Sequence, residues 1–386
     1  MSTPGMVPVL RWTALLALAL LTPPSFARTW HINPDGTGDA PTIQAAVDSA
    51  AAGDVVLLEA GVFLEQVALK SDLTLRSLTG PTATSIDAAG QRLYCIYTAG
   101  SVDNVTVEGI RFTGVGRAAI VLGGTNILFR DCIIEDNTGG TGTLSTHGST
   151  RILDCVFRRN SALAGADDPS AGTLVLSELG SVHLEGCSFD DNNGTVIEAW
   201  GAGSSMVRCQ VRGNWAYGTP LLIAVWSTFD LRATLFEGNS GELLFGGRWG
   251  APAALLSATR NTFVGNHGLF EEPMDLTDGS AFHANVFTEA GVGFTMPTGL
   301  VSVTCNDSWG NGTDWAGLDP TIGGNFSADP LFCDPDAGDY HLQWGSPCLP
   351  ANSPDDCGLI GAYGFGGCNS ISVTPESWAQ VKARYR

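Results

Sequence analysis

Asp131-Cys132-Ile133-Ile134-Glu135-Asp136-Asn137 returns as Asp154-Cys155-Val156-Phe157-Arg158-Arg159-Asn160. It returns again as Gly186-Cys187-Ser188-Phe189-Asp190-Asp191-Asn192 and as Arg208-Cys209-Gln210-Val211-Arg212-Gly213-Asn214. Ala233 to Asn239 and Arg260 to Asn266 keep the Phe and the Asn but lose the Cys. The closing asparagines are separated by 23, 32, 22, 25 and 27 residues. A strand-rich phrase with a period near two dozen is the signature of a solenoid.

One repeat gives the coil. Val182 and Leu184 point one way, and Cys187 and Phe189 point the same way after a bend at Glu185-Gly186. Each half alternates with period two, as a half-buried strand does. Ile152, Cys155 and Phe157 keep the same beat, as do Leu231, Thr234 and Phe236. Coils of this kind stack as parallel sheets about 4.8 Å apart, so sequence columns become spatial ladders. The Phe column (Phe157, Phe189, Phe236, Phe263, Phe287) is expected inside. The Cys column beside it reads as buried free thiols, with bridges between adjacent coils as the alternative. The Asn column is expected at a turn, with the asparagines left-handed and their amides bonded from coil to coil. Two residues before each Asn stand Glu135, Arg158, Asp190, Arg212 and Glu237. That column is expected to face solvent, its alternating signs fixing the register.

Residues 1–27 have the pattern of a secretory signal: Arg11, the apolar run Trp12 to Leu21, and small residues before a cut after Ala27. Their removal takes one arginine and no acid, moving the formal charge from −20 to −21. Such an acidic chain is unsuited to nucleic acid or to anionic membranes. After the leader no membrane span is expected, and the chain reads as a monomer that is secreted, periplasmic or held at the cell surface. Thr42 to Ala52 has helical spacing, with Thr42 as N-cap and Gly53 as stop, and should cover the first coil. The parallel solenoid is expected over residues 28–328 and a Cys-rich cap over 329–370. A basic tail fills 371–386. The C-terminal part holds an odd number of cysteines (Cys305, Cys333, Cys348, Cys357, Cys368), so one stays free, pairs with Cys95, or joins the ladder. The fold class is therefore all-β: a single solenoid with an N-terminal capping helix and a Cys-rich C-terminal cap.

The stretches Asn33 to Asp48 (NPDGTGDAPTIQAAVD) and Ala52 to Val67 (AGDVVLLEAGVFLEQV) resemble the opening of right-handed parallel β-helix proteins of the pectin-lyase-like superfamily. Cys305 to Asn311 and Ala328 to Asp334 are similar to the C-terminal part of many exported bacterial members. The resemblance implies a right-handed parallel β-helix over nearly the whole mature chain, and it implies no activity. Gly61-Val62-Phe63-Leu64-Glu65 also resembles pectin methylesterases, but their later Asp-Phe-Ile-Phe-Gly and Leu-Gly-Arg-Pro-Trp stretches have no counterpart. The polygalacturonase signatures Asn-Thr-Asp, Gly-His-Gly and Arg-Ile-Lys are missing too. Pectate-lyase chemistry needs a Ca²⁺-binding carboxylate cluster beside an Arg or Lys base. Asp190 and Asp191 stacked on Arg158 and Arg159 have that composition, without a supporting motif.

Three tryptophans follow the turn in successive coils: Trp200, Trp226 and Trp249. If Ile197 and Ala199 face inward, Glu198 and Trp200 face outward, and a row of such rings is a platform for sugars. His267, Glu271, Glu272, Asp275, Asp278 and His283 gather in one coil but have no diagnostic metal spacing, so no metal site is assigned. Ca²⁺ is the only cofactor the resemblance raises. No nucleophile-elbow pattern supports a hydrolase triad. The leading expectation is an exported carbohydrate-binding or surface-associated β-helix. One alternative is a polysaccharide lyase or glycoside hydrolase using Asp190, Asp191 and Glu198, with Arg158 and Arg159 nearby. Another is a structural or adhesion solenoid.

Overall fold

The computed structural model describes residues 27–89, 94–116, 118–139, 143–162, 173–201, 203–216, 220–225, 227–244, 254–354 and 357–368. The leader, Trp226, Trp249 and the basic tail lie outside these residues.

The short strand of each repeat (Ile133–Glu135, Val156–Arg158, Ser188–Asp190, Gln210–Arg212, Leu235–Glu237) joins the next in parallel register. Together with their neighbours from Gly61–Phe63 to Asp307–Trp309 they form an eleven-stranded sheet. A sixteen-stranded sheet and two short parallel pairs, Thr138–Gly139 with Ser161–Ala162 and Val292–Thr295 with Thr313–Ala316, supply more of the wall. The longest strands of the sixteen-stranded sheet, such as Ile96–Glu108, Ile120–Arg130 and Leu144–Leu153, run across two faces of the coil. They turn the corner at a glycine column. A Cβ on Gly124 would lie 1.6 Å from the Val102 carbonyl oxygen, and one on Gly148 would lie 1.8 Å from the Gly124 oxygen. Successive corners are thus in backbone contact, and the strands bend there because no side chain intervenes.

The interior is the predicted set of columns. Phe157 stacks on Phe189 at 4.7 Å between centroids, and Phe263 stacks on both Phe236 and Phe287 at 4.9 and 5.1 Å. Cys132, Cys155, Cys187 and Cys209 are buried free thiols, and Cys95 and Cys348 are free as well. The thiols do more than fill space. The Cys132 amide donates to Cys155 Sγ, and each thiol of the column donates to the carbonyl two residues before it. Thr234, then Asn261, Asn285, Asn306 and Asn325, take over the same column, where the Thr234 and Asn261 amides donate to the next asparagine's Oδ1. This second asparagine ladder is not apparent in the repeat phrase, because the phrase changes residue type halfway along.

The first asparagine ladder is complete. Asn137, Asn160, Asn192, Asn214 and Asn239 each donate Nδ2 to the Oδ1 of the next, the last to Asn266. Each is buried, and Nδ2 also caps a carbonyl of the preceding coil, such as Phe157 O for Asn192. The expectation of left-handed asparagines is corrected. The positive φ falls on the residue before: Asp136, Arg159, Asp191, Gly213, Gly238 and Gly265, between 52° and 61°. The amide has to point inward to reach its partners, so the bend is taken up one position earlier.

The ends differ. Helix Ile43–Ser49 buries Ile43, Ala46 and Val47 against the first coil, with Thr42 capping through the Ala45 amide. At the other end Asn325 closes the second ladder and Phe326 bridges to Asp307. Disulfides Cys305–Cys357 and Cys333–Cys368 tie the following segment down. That segment turns back along the outer wall, where Leu342, Cys348 and Ile360 pack on Ala284 and Val286, and Tyr340 packs on Leu235 and Val264.

Candidate functional site

The charge column forms in the predicted register: Glu135 opposite Arg158, Arg158 opposite Asp190, Asp190 opposite Arg212, Arg212 opposite Glu237. Its exposure is corrected. The Glu135 side chain is only 6% exposed and receives Arg111, Arg158 and Arg159, with Arg158 Nε at 2.6 Å. Glu237 accepts from the Tyr340 hydroxyl at 2.7 Å and pairs with Arg212 at 2.9 Å. The returning C-terminal segment therefore covers one end of a column expected to lie in solvent. Nothing in the repeat phrase signals that cover, since the covering residues come from another part of the chain.

Burial by itself raises the Glu135 pKa, but the hydrogen bonds from Arg158 and Arg159 and the charge of Arg158 hold it below the usual range. Asp136 is lowered by Arg159, which binds it through Nε and Nη2 at 2.9 and 2.8 Å. Asp190 behaves oppositely: burial raises it, against the opposing pull of Ser188 and Arg212. Asp191 is exposed and occupies a left-handed turn position at φ 53°. The structure thus brings Asp190, Asp191, Arg158 and Arg159 onto neighbouring coils and engages both arginines with Glu135 and Asp136.

Glu198 is elsewhere. It lies on Thr195–Gly201, in the sixteen-stranded sheet, and is 0% exposed. Trp200 Nε1 donates to its Oε1 at 2.8 Å, and the Trp200 ring is half-buried. Ile197 and Ala199 join the core as expected, yet Glu198 between them is buried rather than exposed, as is neighbouring Ile223. Among the described residues no group of three or more His, Cys, Asp and Glu side chains is arranged to hold a metal ion. Asp275 and Asp278 instead bind Thr298 Oγ1 and the Leu300 amide.

A groove that the sequence reading missed lies at the C-terminal end. It measures about 390 Å³ and runs between the last coils and the returning segment. Thr288, Glu289 and Trp309 form one side, and Asp329, Phe332 and Gln343 the other. Trp309 is the outward residue paired with Thr288, and 42% of it is exposed. Its sequence signal was present in Cys305 to Asn311; the opposite wall depends on a chain reversal that no local pattern encodes.

Residues 82–216 match the family described as the right-handed β-helix region. A pectate lyase, Pel9A, has a similar structure: 14% identity, 88% of this chain and 97% of that chain covered, TM-score 0.59. A rhamnogalacturonan lyase shares 14% identity over 88% and 96% of the two chains, with a TM-score of 0.49. No curated protein sequence matches the chain. In fold the protein is a right-handed parallel β-helix, similar in architecture to that pectate lyase. At such identity the likeness is one of architecture, which hosts many functions.

Proposed function

We propose that this is an exported β-helix protein that binds polysaccharide on its outer surface without cleaving it. The observation that carries the reading is the engagement of both candidate bases. Arg158 and Arg159 are held by Glu135 and Asp136, and Asp190 stands beside Arg212. A lyase base has to reach a substrate proton, and carboxylates that gather a cation have to be open to it. Both arginines are instead engaged by carboxylates of the preceding coil. Export is supported by the leader pattern of residues 1–27 and by the two disulfides, which persist in oxidising compartments. Among the described residues no helix is long and apolar enough to cross a membrane. Trp200, Trp226 and Trp249 remain the proposed sugar platform, of which Trp200 is half-buried and the other two lie outside the described residues.

The test is a panel of acidic and neutral polysaccharides, with and without Ca²⁺, read both for retention of the protein and for new reducing or unsaturated ends. Retention without new ends supports the reading. New ends overturn it and favour a lyase or glycoside hydrolase. The observation behind that second reading is the raised Asp190, which suits a general acid, so Asp190→Asn would then abolish cleavage.

A further inference from the structure

The groove at the C-terminal end has the composition of a sugar subsite. We infer that it binds a neutral saccharide ring against Trp309 and excludes uronates. This rests on the reading of the protein as a polysaccharide binder, and it names the place and the class of sugar.

Its volume of about 390 Å³ lies within the range of small-ligand sites. One wall is aromatic: Trp309 stands exposed on the outer face of Asp307–Trp309, and Phe332 lies across from it. The face of a sugar ring carries C–H groups, and an indole offers them a large rigid apolar surface. The polar lining is mostly acceptor. Glu289 and Asp329 are exposed carboxylates, and the ten lining residues include no lysine, arginine or histidine. Carboxylates accept hydrogen bonds from sugar hydroxyls, two at a time where geometry allows. They repel the carboxylate of a uronate in a site with no opposing cation.

A second observation points the same way. Thr288 is 5% exposed and lines the groove. Its hydroxyl has no hydrogen-bond partner among the described residues. A nearly buried hydroxyl on the lining without a partner gains one from a sugar hydroxyl in the groove. The groove is also held in shape. Asp329 Oδ1 accepts from the Leu331 amide, Gln343 Nε2 donates to the Phe332 carbonyl, and Cys333–Cys368 anchors the far wall. Little ordering remains to be done when a ring enters.

The test uses the full mature chain and calorimetric titration with neutral hexaoses (cellohexaose, maltohexaose, mannohexaose) and with hexagalacturonate. The expected result is that at least one neutral hexaose binds and hexagalacturonate does not. Trp309→Ala then weakens that binding at least tenfold, about 1.4 kcal/mol. Glu289→Gln weakens it severalfold and brings in measurable hexagalacturonate binding. Because Trp309 and Glu289 are at the surface, unchanged thermal melts are expected and are checked alongside. Neutral-sugar binding that survives Trp309→Ala overturns the groove and leaves the general reading intact. Tighter binding of hexagalacturonate than of every neutral hexaose overturns the charge argument. If no hexaose binds, the groove proposal fails, and retention on the polysaccharide panel then decides the broader reading separately.

Discussion

Replacing Asn214 by alanine should cost about 3 kcal/mol, most of it local. Asn214 is 1% exposed. Its Oδ1 accepts from the Asn192 amide at 3.1 Å and from Asn192 Nδ2 at 2.9 Å. Its Nδ2 donates to Phe189 O at 2.8 Å and to Asn239 Oδ1 at 3.0 Å. Truncation does not strand all of these. Asn192 Nδ2 keeps Phe157 O, and Asn239 Oδ1 keeps the Asn214 amide. What is left without a partner is the Asn192 N–H, and Phe189 O loses its side-chain donor. A buried orphan costs roughly 1–3 kcal/mol, which sets the estimate. Asn214→Asp sharpens the test. Aspartate keeps the acceptor for Asn192 but turns a carboxylate toward two oxygens, Phe189 O and Asn239 Oδ1. Its folded pKa is then raised above the unfolded value of about 3.9. The protonated form can donate, so stability is highest at acid pH and is lost as pH rises through the raised pKa. Ser181→Ala, which removes only a surface hydroxyl bond to Ser149, should stay within about 0.5 kcal/mol. The assay pairs denaturant midpoints with hydrogen exchange at the Asn192 amide. An exchange rate unchanged in Asn214→Ala, with less than about 1 kcal/mol lost, would refute the ladder as a source of stability.

Four further outcomes follow from the geometry. A thiol reagent should find no cysteine in the native protein and six after unfolding without reductant, because all six free thiols are buried. Labelling of Cys155 in the native state would contradict the burial that pushes its thiol well above the ordinary value. Reducing Cys305–Cys357 and Cys333–Cys368, which close separations of 52 and 35 residues, should remove up to about 4 kcal/mol each. Proteolysis should then begin after residue 325 while the upstream coils stay protected. Asp307 is buried and pushed up to about 7, with the Ala328 amide and Cys348 thiol pulling down and Asp314 and Asp329 adding to the rise. Since the folded pKa is raised, this group's contribution is fully present below about pH 4 and is lost as pH climbs toward 7. Asp307→Asn should flatten that dependence of the melting temperature. Gly148→Ala should prevent folding or cost more than about 4 kcal/mol. Gly265→Ala, with φ 59° and open space around its Cβ, should cost only about 1–2 kcal/mol.

The columns were legible because stacking makes each one repeat in the sequence. Phe157, Phe189, Phe236, Phe263 and Phe287 announce themselves by spacing, and so do the asparagines. Capping by Thr42 to Ala50 was equally local. Three things were not legible, for one shared reason. The buried Glu135, the cover over Glu237 and the Trp309 groove depend on residues outside the repeat phrase, such as Arg111, Tyr340 and Phe332. Alternation set Glu198 apart from Ile197 and Ala199; it does not tell whether Glu198 is wet. The turn conformation was misplaced by one residue because Asn and Asp both suit left-handed dihedrals, and only the inward bonding of the amide decides between them.

The returning C-terminal segment also covers an edge of the stack. Every coil offers the next a row of bare amides and carbonyls, so an uncovered last coil is an edge that a second molecule can extend. Here Asn325 and Phe326 occupy the last rungs, and Cys305–Cys357 staples the chain that carries them to the final coil. The staple closes only where thiols oxidise. The cover over one end of the stack is thus fixed by oxidation of a thiol pair, while a helix that needs no oxidant covers the other.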